Sequence, residues 1–325
     1  MMTARWALVL TVLECSSVTL SSSAVFAADY PAHPIRMVVP FTAGGGADII
    51  ARALGQHFGS VFGQNVVIDN RAGGNTVIGS EIVAKAKPDG YTLLMQINTL
   101  TALPAMVKDG QGSISLDAFA PVSLVALLPH VLVVHRSVPA TTVKELVALA
   151  KAAPGKLNYG TPGAGSAVHL ASALFASMAG IDLVHVPYKG AAEYTAAVLG
   201  DHVQIVFGSA PTAIPHVRTG ALKALAVTTA KRIPQLPGVP TIAESGFPGY
   251  EIASWYGVLA PAKTPGSIVT RLSNEIAAAT KTKVFADALP DYELIGGTPA
   301  EFAAFLKKDA EVSMRIIAQS GAKAN

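Results

Sequence analysis

Two stretches of small residues carry the strongest chemical signal in this sequence. They are Phe41-Thr42-Ala43-Gly44-Gly45-Gly46-Ala47-Asp48 and Thr161-Pro162-Gly163-Ala164-Gly165-Ser166. A glycine loop that feeds a helix aims bare backbone N–H groups and the positive end of the helix dipole at one spot, which suits a carboxylate or a phosphate. Small residues matter there because a side chain would hold the ligand away from the amides. One such loop is equally well explained as a tight turn, but two in different halves of the chain point to a shared cleft. Ser166 stands where its hydroxyl can cap the following helix.

Other chemistries fail on spacing. Gly44-Gly45-Gly46-Ala47-Asp48-Ile49 lacks the last glycine of the dinucleotide fingerprint, and no glycine loop ends in Gly-Lys-Ser or Gly-Lys-Thr. There is no G-x-S-x-G, no H-E-x-x-H, and the eight histidines show no metal-ligand spacing. His169 follows Ser166 by one helix turn, either as a base beside a nucleophile or, as we read it, as a helix-face histidine that hydrogen-bonds the loop. Lys189 in Pro187-Tyr188-Lys189-Gly190 fits an anion contact or an exposed turn, with the turn preferred. Trp255 and Tyr256 fit a cleft wall and a packed core equally well.

The elements that must position these residues follow a regular order. Ile35 to Pro40 predicts a strand, and Ile49 to Phe58, with Ile50, Leu54 and Phe58 on one face, predicts a helix stopped by Gly59. The order recurs at Asn65 to Asp69, at Tyr91 to Met95, and in the second half at Leu157 to Gly160 with the helix of Leu170, Leu174 and Met178. Val184 to Pro187, Val203 to Phe207 and Leu222 to Thr228 predict further strands. Thr142-Val143-Lys144-Glu145 reads as a capping box. Two closing helices are predicted, opened by Thr264-Pro265 and Thr298-Pro299, each with a threonine cap and proline at the first helical position. Strands alternating with helices imply an α/β fold with parallel sheets.

Composition sets the outer bounds. The chain has 325 residues, 51% of them hydrophobic and 14% charged, which excludes a disordered or fibrous protein and suits two lobes. A net charge of +3 without a basic stripe argues against nucleic acid as a partner. The mean hydropathy of +0.44 is membrane-like, yet the most apolar internal stretch, Ala118 to Val134, is broken by Pro121, Ser123, Pro129 and His130. Residues 1–27 have the layout of a secretory signal, with Arg5, an apolar run from Trp6 to Leu13, and cleavage expected after Ala27. The single cysteine, Cys15, lies in this leader behind Glu14, which disfavours a lipid anchor. The mature chain is then cysteine-free.

The ordered set Pro40-Phe41-Thr42-Ala43-Gly44-Gly45-Gly46-Ala47-Asp48, Pro88-Asp89-Gly90-Tyr91-Thr92, Gly160 to Ser166 with His169-Leu170-Ala171, and Val186-Pro187-Tyr188-Lys189-Gly190 resembles the signatures of the Bug-type, TctC-like solute-binding proteins. These are the extracytoplasmic receptors of tripartite tricarboxylate transporters. The resemblance implies a two-lobed periplasmic-binding-protein fold of the Venus-flytrap kind, each lobe a mainly parallel sheet flanked by helices. The chain would cross between lobes near Leu128 to His130 and Glu251 to Ser254, giving lobe 1 as residues 28–128 with 253–325 and lobe 2 as residues 129–252.

By the same resemblance, a ligand carboxylate is gripped by Phe41, Thr42, Ala43, Gly44, Gly45 and Asp48 from one loop and by Thr161, Gly163, Gly165, Ser166 and His169 from the other. Asn98 and Thr99 supply a further first-lobe contact, and Gly208 and Ser209 a second-lobe one. Phe207-Gly208-Ser209 departs from members with an acidic residue after the phenylalanine, which favours a plain organic acid over an amino acid. The expected protein is a periplasmic, non-enzymatic, monomeric receptor without cofactor or metal. It hands its ligand to one large and one small integral-membrane subunit. The alternatives are presentation of the acid to a sensor kinase, or a secreted α/β enzyme acting on a small carboxylic acid.

Overall fold

The unit of strand, glycine loop and helix is repeated along the chain much as the hydrophobic spacing predicts. The structure, a computed structural model, describes residues 30–106 and 114–320, and its elements lie in one compact unit that begins at Pro31. The predicted leader and Cys15 lie outside the described residues. β1 (Ile35–Val39) runs through the first glycine loop into α1 (Gly46–Phe62), whose Ile50, Leu54 and Phe58 are buried as the spacing requires. The helix ends at Gly63 rather than Gly59, with Gly63 in the left-handed conformation that caps a helix. β2 (Val66–Asn70), α2 (Val77–Ala84), β3 (Thr92–Gln96) and α3 (Thr99–Met106) complete the first run.

The apolar stretch that looked membrane-like is a single strand, β4 (Phe119–His135). Its prolines are tolerated because pairing shifts register between Pro121 and Ser123 and again between Leu124 and Ala126. The second run is α4 (Val143–Ala152), β5 (Asn158–Thr161), α5 (Ala167–Ala179), β6 (Val184–Pro187), α6 (Ala191–Leu199), β7 (Ile205–Ser209), α7 (Ala210–Arg218) and β8 (Leu222–Val227). The chain returns along β9 (Ala253–Pro261) and closes with α8 (Gly266–Ala279), α9 (Lys283–Ala288), β10 (Glu293–Leu294) and α10 (Pro299–Ser320).

The strand order is β2-β1-β3-β9-β4-β7-β5-β6, with β8 and β10 also paired to β4. The outer pairs β1–β2, β1–β3, β5–β6 and β5–β7 are parallel. Antiparallel pairing enters only through β4 and β9, the two long strands in the middle. β4 changes partners along its length: Phe119 to Pro129 pair with β9, and His130 to Val134 pair with β7. One hydrophobic cluster surrounds Trp255, Leu94, Leu259 and Phe302, and a larger one surrounds Leu132, Phe175, Phe207 and Ile205. α10 joins both, placing Phe302 and Leu306 in the first and Ile316 and Ile317 in the second.

Three helices close the chain where two were expected. The short α9 is capped by Thr282, whose hydroxyl accepts from the Phe285 amide at 3.2 Å. The predicted cap of α8 is also different: Pro265 is the capping residue, and the Thr264 hydroxyl donates instead to the Pro261 carbonyl at 2.7 Å. The capping boxes at Thr142 and Thr298 form through Glu145 and Glu301.

Candidate ligand-binding site

The second glycine loop links β5 to α5 and is braced from beneath. Thr161, fully buried, accepts the Gly163 amide on its hydroxyl at 3.0 Å and lies 2.6 Å from His185 Nε2. Ser166 caps α5 by accepting the His169 amide at 3.2 Å and donates its hydroxyl to the Gly163 carbonyl at 2.7 Å. His169 Nδ1 accepts the Gly165 amide at 3.4 Å. His169, His185 and Tyr159 form a cluster, the two imidazoles 4.7 Å apart and His185 stacked on Tyr159. Burial and then the neighbouring His185 push the His169 pKa down to about 4, so its ring is neutral and keeps the lone pair that the loop amide uses. Ser166 and His169 are therefore engaged with the loop backbone rather than with each other's side chains.

Those bonds occupy the amides of Gly163, Gly165 and His169. The first amides of a helix have no intrahelical acceptor, so Ala167 and Val168 at the start of α5, like Gly46 and Ala47 at the start of α1, remain for an anion. Gly163 and Gly165 have φ of 120° and 76°, which glycine adopts without strain. A side chain at Gly165 would collide with Met106, whereas one at Gly163 would meet no atom within 4 Å.

The first loop, Phe41 to Gly45, is half-exposed at Phe41 and exposed from Thr42 to Gly45. Asp48 is 2% exposed and turns back into its own loop, accepting from the Gly44 amide at 2.9 Å, from Asn70 at 3.0 Å and from Arg52 at 2.9 Å. The Arg52 hydrogen bond is the largest cause holding its carboxyl at about 2. Asp48 thus shapes the loop. At the start of α1 a side chain on Gly46 would come within 2.7 Å of the hydroxyls of Tyr256 and Tyr292. Burial pushes the hydroxyls of Tyr256 and Tyr194 above their ordinary value, so both are neutral. Ser209 bonds the Thr212 hydroxyl at 2.9 Å, and Gly208 is buried in β7.

Asn98 and Thr99 face different spaces. The Asn98 carboxamide bonds the backbone of β9 on both its atoms, donating to the Ala253 carbonyl at 3.2 Å and accepting the Trp255 amide at 3.1 Å. Thr99 instead lines a cavity of about 190 Å³ together with Asn75, Met106, Gly163, Ala164 and Gly165. The fold therefore brings Thr99 and the second glycine loop to one cavity. None of the first-loop residues from Phe41 to Asp48 lines that cavity. Lys189 is an exposed turn residue whose amide bonds Glu193. Trp255 is core, and the Tyr256 hydroxyl lies against Gly46 at the head of α1. Sequence reasoning missed Asn75, Met106, His185, Tyr194 and Tyr292. Only His185 left a signal, since β5 and β6 pair Tyr159 with His185 in the register that puts both under the loop.

Solved structures of periplasmic binding proteins share this α/β fold. The family model for the tripartite tricarboxylate transporter receptor family, TctC, matches residues 50–322, and the chain belongs to that family. Protein BugT of Bordetella pertussis is 33% identical over 92% of this chain and 93% of its own length. Among solved structures, a TctC solute-binding protein from Polaromonas superposes with a TM-score of 0.80 at 30% identity, over 89% of this chain and 99% of that one. R. palustris Rpa4515 with adipate superposes with a TM-score of 0.77 at 35% identity, over 90% and 99%. The family is one of non-enzymatic receptors that serve transporters with membrane components.

Proposed function

We propose that this receptor captures a small organic dicarboxylate between two lobes, residues 28–128 with 253–325 and residues 129–252, and delivers it to one large and one small integral-membrane subunit. The observation that carries this reading is the cavity of about 190 Å³ into which Thr99 from one half and Gly163 and Gly165 from the other project together. The change of strand partner at Pro129 and His130 supports the division into lobes. A ligand held by both halves binds the closed arrangement more tightly and shifts the population toward it, which is the signal a membrane partner reads.

Adipate, the compound named with a relative of 35% identity, supports a dicarboxylate. Gly208, which follows Phe207 where some members carry an acid, leaves no carboxylate there for a ligand ammonium group, which supports a plain acid over an amino acid. The exported form begins after Ala27 and acts as a monomer. Mass spectrometry of the compound released from natively purified protein, followed by a thermal-shift panel of acids and amino acids, tests the reading. Stabilisation by short dicarboxylates is expected; stabilisation by amino acids alone would overturn it.

A further inference from the structure

The cavity of about 190 Å³ is lined mainly by small and apolar residues, and the polar side chains among them are those of Asn75 and Thr99. Asn75 belongs to the turn Gly74–Thr76, which lies between β2 and α2. Gly73, Gly74, Asn75 and Thr76 have φ of 127°, 55°, 49° and 75° in succession. Glycine and asparagine accept such angles, but for a β-branched threonine they are an outlier. Strain of this kind persists only where the surroundings enforce it, and it gathers at ligand clamps.

One buried side chain does the enforcing. Gln96, at the end of β3, is fully buried, and its carboxamide is bonded at both ends. Nε2 donates to the hydroxyls of Thr76 and Ser80, each at 3.0 Å, while Oε1 accepts the Ile97 amide at 2.8 Å and the Thr99 hydroxyl at 3.4 Å. The Ile97 amide can only donate, which fixes the oxygen on that side. Ser80 adds its own hydroxyl to the Thr76 carbonyl at 2.8 Å. Gln96 therefore holds the neighbour of Asn75 with one atom and Thr99 with the other, while Asn75 stays exposed at the cavity wall.

An acid whose first carboxylate meets the start of α5 presents the rest of its length to the other lining residues, of which Asn75 and Thr99 can hydrogen-bond through their side chains. Taking this cavity as the acid site, on which the assignment rests, we propose that Asn75 is a specificity-determining residue. Its carboxamide, with the Thr99 hydroxyl, bonds the far end of the captured acid, and Gln96 is the positioning residue that sets them both. A methyl end would leave these groups facing it without a partner, so they select a second polar end over an aliphatic one.

The test is calorimetric titration of the full chain with adipate and with hexanoate, which keeps the chain length and replaces one carboxylate by a methyl group. Wild type is expected to bind adipate at least about tenfold more tightly than hexanoate. Asn75→Gly removes the carboxamide and suits the positive φ, so the fold is not at risk; it should weaken adipate about tenfold and leave hexanoate within about twofold. A merely loosened turn would weaken both acids alike. Gln96→Met keeps the length without the bonds and should narrow the preference, but by less in an Asn75→Gly background. Asn75→Gly decides the matter alone if Gln96→Met does not fold. A wild type without preference, or Asn75→Gly with the preference intact, overturns the assignment. Gly163→Glu tells that result apart from failure of the cavity reading itself, since it weakens adipate if the cavity is the acid site and leaves adipate unchanged, overturning both, if it is not.

Discussion

Replacing Gly163 separates charge at the loop from shape at the loop. Its φ of 120° means that any side chain strains the backbone, by about 1–3 kcal/mol. A Cβ there meets nothing within 4 Å, and Gly163 lines the cavity, so there is room for a side chain to start. Gly163→Gln and Gly163→Glu therefore share the strain and nearly the same bulk, and differ only in charge. Two carboxylates at roughly 4 Å repel by about 4 kcal/mol at an effective dielectric constant near 20, and by less where water intervenes. Taking about 2–4 kcal/mol, Gly163→Glu should bind adipate at least about 30-fold more weakly than Gly163→Gln, since 1.4 kcal/mol is a factor of ten. The gap should narrow as salt is raised. Calorimetric titration gives the affinities, and thermal unfolding checks that both variants fold equally well. Equal affinity of the two variants, when wild type binds more tightly than either, would refute the placement of an anion against this loop.

Acid should destabilise the fold before it touches the carboxylates. His130 and His169 are held at about 4 by burial, below the ordinary 6.5, so the unfolded chain takes up protons that the folded chain refuses. The histidine contribution, about 3 kcal/mol from each, should be lost between pH 6.5 and about pH 4, and below that the loss continues as the Asp48 carboxyl, held at about 2, takes up its proton; a flat unfolding midpoint from pH 6.5 to 4 contradicts this. Thr161→Val leaves the Gly163 amide and His185 Nε2 without their buried partner, which should cost about 2–4 kcal/mol and weaken carboxylate binding at least tenfold. Calorimetry and denaturant unfolding read both effects, and unchanged affinity would count against the loop's role. Asp48→Asn removes the charge that Arg52 pairs with while keeping an acceptor for Gly44. It should lower stability by about 1–2 kcal/mol and affinity by only a few-fold, as read by the same titration.

The parts of this molecule that were legible in sequence are those governed by local rules. Ile50, Leu54 and Phe58 repeat at helical spacing and form the buried face of α1, and Thr142 with Glu145 makes the cap that its spacing predicts. The glycine loops were legible because few other structures need so many small residues between a strand and a helix. β4 was hidden by its prolines, whose cost is relieved by register shifts that only a partner strand can create. Thr264 looked like a cap, but its hydroxyl found the Pro261 carbonyl first. Tyr256 and Tyr292 meet at Gly46 from segments far apart in the chain, and no spacing relates the three; the fold does. Asn98 and Thr99 illustrate the same limit, since adjacent residues at a helix start face different cavities.

The central claim is that an organic acid sits in the cavity between Thr99 and the loop that leads into α5 and touches both halves of the chain. A crystal structure of the protein grown with a saturating dicarboxylate such as adipate tests it most directly. The account predicts one carboxylate against the start of α5, beside Ala164 and Ala167 and within reach of Thr99. A dicarboxylate bound elsewhere, or one contacting a single half of the chain, would contradict it.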